Sequence, residues 1–111
     1  MIDKNALAEV ALEPEYSQEI IRAAESKFPE IERIIIFGSR AINTATSGSD
    51  IDIAIDGKEV VRATRLLFYD WLNNESGIPY KIDVLQLNEL ENADLITHIK
   101  DKGKPIYSKK A

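Results

Sequence analysis

The chain has 111 residues, of which 44% are hydrophobic and 30% charged, with a formal net charge of -5 at pH 7, which predicts one small globular domain. The acidic balance argues against an extended nucleic-acid surface, which relies on clusters of Lys and Arg, and the absence of cysteine excludes disulfides and thiolate metal sites. No apolar run approaches the roughly 20 residues that span a membrane and no signal peptide is evident, so we expect a cytoplasmic protein without membrane contact.

The first half of the chain predicts a helix followed by a strand. Pro14 suits a first helical turn, and apolar residues recur at helical spacing from Ile20 to Phe28, where Pro29 ends the segment. A strand is predicted over about residues 33–37. Next come Gly38, Ser39 and Arg40, and then a polar connection.

In residues 50–55 isoleucine occupies every second position and the positions between hold Asp50, Asp52 and Ala54, which is the pattern of a half-buried strand. Residues two apart in a strand point to the same face, so Asp50 and Asp52 share one face while three isoleucines enter the core.

The second half predicts a helix over about residues 59–73, with an apolar stripe on its core side formed by Val60, Ala63, Leu67 and Trp71. A strand with Asp83 follows. Asn88 and Glu91 have the spacing of a capping box for a last helix, which carries His98 as a structural or surface residue. Gly103 and Pro105 end that helix, and a short final strand is predicted at residues 106–107, giving an α/β mixed sheet with packed helices.

Gly38-Ser39 and the aspartates supply complementary halves of one predicted site. Glycine lets the backbone approach an anion, successive N–H groups form a concave nest, and the serine hydroxyl adds a donor, so this turn suits nucleotide phosphates. The Arg40 guanidinium is well shaped to bind phosphate oxygens as well. Asp50 and Asp52 repel each other unless a cation lies between them, and such hard oxygen ligands suit Mg²⁺ or Mn²⁺.

Displacement at phosphorus commonly uses two metal ions about 4 Å apart, which calls for a third carboxylate. Asp83 is the predicted third ligand because an acid inside a central strand is costly to bury without a partner. Asp56 fits less well, since Asp56-Gly57 has the character of a turn.

The pattern Gly38-Ser39, ten residues, then Asp50-x-Asp52, with Asp83 on a later strand, resembles the signature of the DNA polymerase β-like nucleotidyltransferase superfamily. The small size is similar to the minimal nucleotidyltransferase (MNT) branch, of which MntA-like antitoxins are members. The resemblance covers about residues 31–107 and implies a single minimal nucleotidyltransferase domain in residues 1–111. It implies that Gly38 and Ser39 hold the phosphates of the nucleotide, that Asp50 and Asp52 bind two metal ions, and that Asp83 binds the metal nearest the attacking hydroxyl.

The resemblance also implies a function. MNT proteins act as antitoxins of HEPN-domain ribonuclease toxins, which they adenylylate with ATP and bind as complexes, so transfer of AMP to a partner hydroxyl is the leading hypothesis. Many relatives continue with Ala-Arg-Gly after Gly-Ser-Arg, where this chain has Ala41-Ile42-Asn43. The second basic residue is missing, and Asn43 tolerates the left-handed backbone of the glycine it replaces.

Each element also has a simpler interpretation. Alone, Asp50 and Asp52 are typical of a solvated strand face, Gly38-Ser39 of a plain turn, Arg40 of a surface cation and Asp83 of an ion-pair partner. At the level of function, the alternatives are a non-catalytic antitoxin that neutralises its partner by binding, and a nucleotidyltransferase that acts on a small molecule.

Overall fold

The computed structural model describes residues 10–42, 44–46 and 48–109. Asn43 and its predicted left-handed backbone lie outside these ranges. The helices are α1 (Pro14–Lys27), α2 (Arg62–Asn74) and α3 (Ala93–Lys102), and the strands are β1 (Arg33–Phe37), β2 (Ile51–Asp56), β3 (Ile82–Gln86) and β4 (Lys104–Ser108). Short 3₁₀ turns follow β1 at Gly38–Arg40 and β3 at Leu87–Glu89.

The four strands form one mixed sheet in the order β3-β2-β1-β4. β1 pairs antiparallel with β2 and with β4, whereas β2 and β3 are parallel. The predicted α/β mixed sheet with packed helices is therefore confirmed. None of the described helices is long and apolar enough to cross a membrane.

One face of the sheet carries the main core, which includes the isoleucines of β2 and side chains of α1 and α2. Ile51, Ile53 and Ile55 are fully buried there, as their alternation predicts. The opposite face holds a smaller cluster, in which Phe37 and Ala54 pack with Ile99 of α3. Because side chains alternate along a strand, Asp52 and Asp83 lie on this second, less covered face.

The predicted core stripe of α2 is correct for Val60, which is buried just before the helix, and for Trp71, which packs against the core, but it is wrong for Ala63 and Leu67. Leu67 is 61% exposed, and the side chains that enter the core are Thr64, Phe68 and Leu72. The Phe68 ring packs edge-on against Phe28 at 5.2 Å between centroids, and the Thr64 hydroxyl donates to a Glu30 carboxylate at 2.9 Å. Apolar residues occur on several faces of α2, so the apolar pattern alone does not select the face that packs inward. The inward face is the one that carries Thr64, which is buried and hydrogen-bonded.

Two predicted helix starts also differ from the structure. α2 begins after an extended Val61, and its first turn is fixed by the Val61 N–H, which donates to the Thr64 hydroxyl at 3.2 Å. For α3 the N-cap is Asn92, whose side chain accepts from the Leu95 N–H at 3.0 Å. Asn88, the predicted cap, instead donates to the carbonyl oxygens of Gly57 and Val60.

Candidate nucleotidyltransfer site

Three residues form a row across the second face of the sheet. Phe37 at the end of β1 is the register partner of Asp52 in β2, and Asp52 is the register partner of Asp83 in β3. Adjacent strands lie about 4.8 Å apart, so the two carboxylates start from neighbouring backbone positions on one face. Asp50, which is exposed, lies directly before β2. The structure therefore brings the three predicted acids to one end of β2 and β3.

The three carboxylates interact electrostatically. Partial burial raises the pKa of Asp52 above its ordinary value of 3.8, and the negative charges of Asp83 and Asp50 raise it further. Arg33 and Asp56 form an ion pair at 3.5 Å, and no ion pair is seen between any of the three acids and a described lysine or arginine.

The donor set fits a hard divalent cation, because three carboxylates that repel one another gain most from a shared positive charge. In the ranges that the structure describes, no three acidic or imidazole side chains already converge on one point. The fit consequently rests on the charge and the strand register of Asp50, Asp52 and Asp83, whose role as metal ligands stays a prediction.

The Gly38–Ser39 turn lies directly beside Asp52. Gly38 has a φ of 73°, in the left-handed region, and a Cβ atom at this position would overlap a carboxylate oxygen of Asp52. Glycine is thus required both by the backbone conformation and by the close approach. Ser39 is half-buried within the 3₁₀ turn, and its carbonyl accepts from the Thr44 N–H at 3.1 Å. Binding of nucleotide by the turn stays a prediction.

Arg40 is buried and links separate segments of the chain through its side chain. Its guanidinium donates to the carbonyl oxygen of Ser49 at 2.7 and 3.3 Å and to that of Ala11, and it lies over the Tyr80 ring at 4.3 Å from the centroid. Three separate segments are thereby joined behind the Gly38–Ser39 turn. The predicted contact between Arg40 and phosphate stays a prediction, and its donors already bind protein carbonyls.

Tyr80 is a neighbour of the site that sequence reasoning did not single out. Its hydroxyl donates to a Glu13 carboxylate at 2.8 Å, and this hydrogen bond raises the pKa of Tyr80. The tyrosine therefore connects Arg40 with the segment that precedes α1 and with the start of β3. Nothing in the local sequence reveals this, because the partners lie far apart in the chain.

Asp56 lies at the far end of β2. One carboxylate oxygen accepts from the Gly57 N–H at 3.0 Å, and the carboxylate pairs with Arg33. His98 lies on α3, half-buried. Neither residue is a register partner of Asp52 or Asp83.

Asp52 and Asp83 are called the acidic row below. A cavity of about 350 Å³ opens beside it. Asp52 and Asp83 line it together with Arg65 and Tyr69 of α2 and the apolar side chains Phe37, Val84 and Leu85. Sequence reasoning missed Arg65 and Tyr69. Their only signal is the helical spacing of four residues, which acquires meaning once α2 is placed along β3.

Solved structures with a similar fold include toxin–antitoxin systems. One is a toxin–antitoxin with AMP-PNP, at a TM-score of 0.71 and 23% identity, over 85% of this chain and 74% of the other. Another is a tri-AMPylated Shewanella oneidensis HEPN toxin in complex with an MNT antitoxin, at 0.65 and 21%, over 84% and 70%. A third is a putative nucleotidyltransferase from Sulfolobus solfataricus, at 0.59 and 21%, over 96% and 86%.

No curated protein sequence matches the chain. Residues 18–111, most of the chain and all of the acidic row, match the family model described as polymerase beta, nucleotidyltransferase. The chain belongs to this nucleotidyltransferase family.

Proposed function

We propose that the chain transfers AMP from ATP to a hydroxyl group of a partner protein. The observation that carries the proposal is the contact between an anion-binding turn and an acidic row: Gly38, at positive φ, lies directly against the Asp52 carboxylate, and Asp52 is paired in register with Asp83. This arrangement offers donors for phosphate beside ligands for a cation.

The bonds change at the α-phosphorus. The acceptor oxygen forms a bond to phosphorus, the bond from phosphorus to the oxygen that bridges the α- and β-phosphates breaks, and pyrophosphate leaves with the electron pair. The hydroxyl proton passes to water. The N–H groups of the Gly38–Ser39 turn hold the pyrophosphate portion, while Asp50, Asp52 and Asp83 would hold two Mg²⁺ ions. When bound, these ions neutralise charge on the attacking and leaving oxygens.

The partner is proposed from the structural neighbours. Two of them are toxin–antitoxin assemblies, one with AMP-PNP and one in which a HEPN toxin is AMPylated and bound to its MNT antitoxin. We therefore propose a HEPN-domain toxin as the acceptor, with this chain as its antitoxin, acting in the cytoplasm as one hetero-oligomer. Residues 1–111 form the minimal catalytic domain in this proposal.

The experiment is transfer of label from ATP in soluble extract of the native host. Compared with extract alone, added wild-type protein with Mg²⁺ is expected to give one additional labelled protein from α-labelled ATP and none from γ-labelled ATP, since pyrophosphate is the leaving group. Asp52→Asn is expected to abolish labelling. Asp56→Asn is the matched control, because Asp56 lies on the same strand but pairs with Arg33 outside the row.

Three results would contradict the proposal. Equal labelling by wild type and Asp52→Asn would remove the acidic row from the chemistry. Formation of a stable complex with the partner but no α-label would instead support the alternative of an antitoxin that acts by binding alone. Label on a small molecule alone would support a small-molecule nucleotidyltransferase.

A further inference from the structure

The cavity beside the acidic row has walls of two kinds. Asp52 and Asp83 form the side toward the sheet, and Arg65 and Tyr69 form the side toward α2. Its volume of about 350 Å³ is at the lower end of the range typical of ligand sites. The cavity thus places both carboxylates of the row and a half-buried arginine around one space, which suits the binding of a polar ligand.

Arg65 and Tyr69 are held in place by the next residue of the same helical stripe. Asn73 follows Tyr69 by four positions, and its side chain donates to the Ile82 carbonyl at 2.8 Å and accepts from the Ile82 N–H at 3.0 Å. The amide thus pairs with the open edge of β3 as a neighbouring strand would. This pairing fixes α2 along β3, so that Arg65 and Tyr69 lie beside Asp83.

Arg65 has its charge available for a ligand. The guanidinium forms no hydrogen bond or ion pair with any side chain of the described residues, although the cavity it lines contains two aspartates. A half-buried arginine of this kind is well suited to bind carbonyl or carboxylate oxygens through its planar set of donors.

The direction of the reaction selects which ligand the cavity takes. In-line displacement requires the attacking oxygen to approach phosphorus from the side opposite the leaving pyrophosphate. The Gly38–Ser39 turn continues from β1, Asp52 lies in the next strand, and Asp83 lies in the strand after that. Pyrophosphate held at the turn therefore leaves toward β1, and the attacking hydroxyl arrives from the side of β3 and α2.

We propose that this cavity is the acceptor subsite, in which Arg65 and Tyr69 position a hydroxyl-bearing segment of a protein. Arg65 donates to carbonyl or carboxylate oxygens of that segment, and the Tyr69 ring packs against it. The inference rests on the proposed function and deepens it. Both are positioning residues, because they orient the acceptor while the acidic row faces the reacting atoms.

The surface around the cavity favours a protein acceptor over a nucleic acid. Leu66 precedes Tyr69 by three positions on α2 and so lies beside it on the helix surface, and the two are 46% and 37% exposed, so an apolar side chain adjoins the aromatic wall of the cavity. Three aspartates and a net charge of -5 oppose a polyanion.

The first test compares Arg65→Gln with Arg62→Gln, an exposed arginine of the same helix that lies outside the cavity. The acceptor is the protein that wild type labels in host extract, after purification. Arg65→Gln is expected to raise the KM for this acceptor about tenfold or more, as for loss of a charge-assisted hydrogen bond, while the KM for ATP changes less than about twofold. Arg62→Gln is expected to match wild type.

Two kinetic results would overturn the inference. A raised KM for ATP would make the cavity part of the nucleotide site, and equal behaviour of the two arginine variants would leave Arg65 without a role. Loss of labelling by wild type itself would mean that the proposed function has failed, and a second measurement then tests the cavity without any transfer.

That second measurement is NMR titration of the protein in Mg²⁺, first with a non-hydrolysable ATP analogue and then with N-acetyltyrosinamide or N-acetylserinamide. The nucleotide is expected to shift the Gly38 and Ser39 signals, and the hydroxyl compounds are expected to shift those of Arg65, Tyr69 and Asp83. Shifts of Arg65 and Tyr69 with nucleotide alone, or no shift of them with either hydroxyl compound, would overturn the inference.

Discussion

Gly38 leaves the space that the carboxylate of Asp52 occupies, since a Cβ atom on residue 38 would overlap one of the Asp52 oxygens. The turn that follows β1 and the acid in β2 are thereby fitted to each other. The positive φ of Gly38 turns the chain at the end of β1, and the missing side chain allows the turn to approach the acidic row.

Gly38→Ala is expected to destabilise the protein by about 1–2 kcal/mol, because an L residue is strained at positive φ and the new methyl group displaces Asp52. Transfer is expected to fall strongly as well. Urea unfolding measures the first effect. Gly48→Ala is the matched control, since nothing lies within 4 Å of its added Cβ. If Gly38→Ala unfolds at the same urea concentration as wild type, the close approach is not present in solution.

Asp52→Asn is expected to stabilise the metal-free protein at neutral pH. The pKa of folded Asp52 is raised above its ordinary 3.8, so the folded state binds this proton more tightly than the unfolded state does. The contribution of this group to stability is therefore greatest below pH 3.8 and is lost as pH rises through the folded pKa. Asparagine does not ionise and so avoids this loss. The gain in the free energy of unfolding is expected to be at most about 1 kcal/mol, because the carboxylate is partly exposed and screened.

Thermal unfolding in EDTA between pH 4 and pH 8 checks this sign through the difference in Tm between wild type and Asp52→Asn. The Tm advantage of Asp52→Asn is expected to grow with pH. Asp56→Asn serves as control, and it is expected to lose stability because its carboxylate pairs with Arg33 and accepts from the Gly57 N–H. A Tm advantage that shrinks with rising pH would show that the acids do not repel one another.

Mg²⁺ is expected to make wild type more stable than Asp52→Asn, the reverse of the order expected in EDTA. A cation that binds only the folded state stabilises it by about 2.7 kcal/mol at one hundred times its Kd, so the Tm of wild type is expected to rise with Mg²⁺. Asp52→Asn is expected to show little rise. Titration of Mg²⁺ without nucleotide measures metal binding separately from transfer, and equal shifts in both proteins would place the ion elsewhere.

The sequence allowed prediction of the parts of the site that depend on local pattern. The alternation from Asp50 to Ile55 predicted both the strand and the face of Asp52, since a period of two has one structural meaning. The register of Asp52 with Asp83 was not predicted, because it depends on the order of the strands in the sheet. The burial of Arg40 was not predictable, because its partner Ala11 lies 29 residues away.

The error in α2 has a comparable cause. Leu66, Leu67 and Phe68 are consecutive apolar residues, so several faces of the helix compete for the core, and the sequence does not show that Thr64 finds hydrogen-bond partners inside. For the same reason, the sequence did not predict that Arg65 and Tyr69 line the cavity. Their position beside Asp83 follows from the rotation of the helix, which long-range packing decides.

Arg40→Ala is expected to destabilise the fold by about 3 kcal/mol or more, because it leaves the partly buried carbonyls of Ala11 and Ser49 without their donors and removes the contact with Tyr80. Arg22→Ala is the control, since Arg22 is exposed and its guanidinium donates to the Gln18 side chain at 3.5 Å. Urea unfolding compares the two. Similar small losses in both variants would contradict the structural role of Arg40.

Asn73→Ala tests how the edge of β3 holds the site together. The variant loses two hydrogen bonds to the Ile82 backbone, which is expected to cost about 2 kcal/mol in the free energy of unfolding. Because Ile82 precedes Asp83, the loosened edge is expected to lower transfer beyond the loss of folded protein. Asn74→Ala is the matched control, as the Asn74 side chain donates to exposed Asp70 at 2.7 Å and not to the backbone of β3. Hydrogen exchange of the Ile82 amide reports the edge directly: faster exchange in Asn73→Ala, but not in Asn74→Ala, is the expected result, and unchanged exchange would mean that the side-chain amide does not protect the strand.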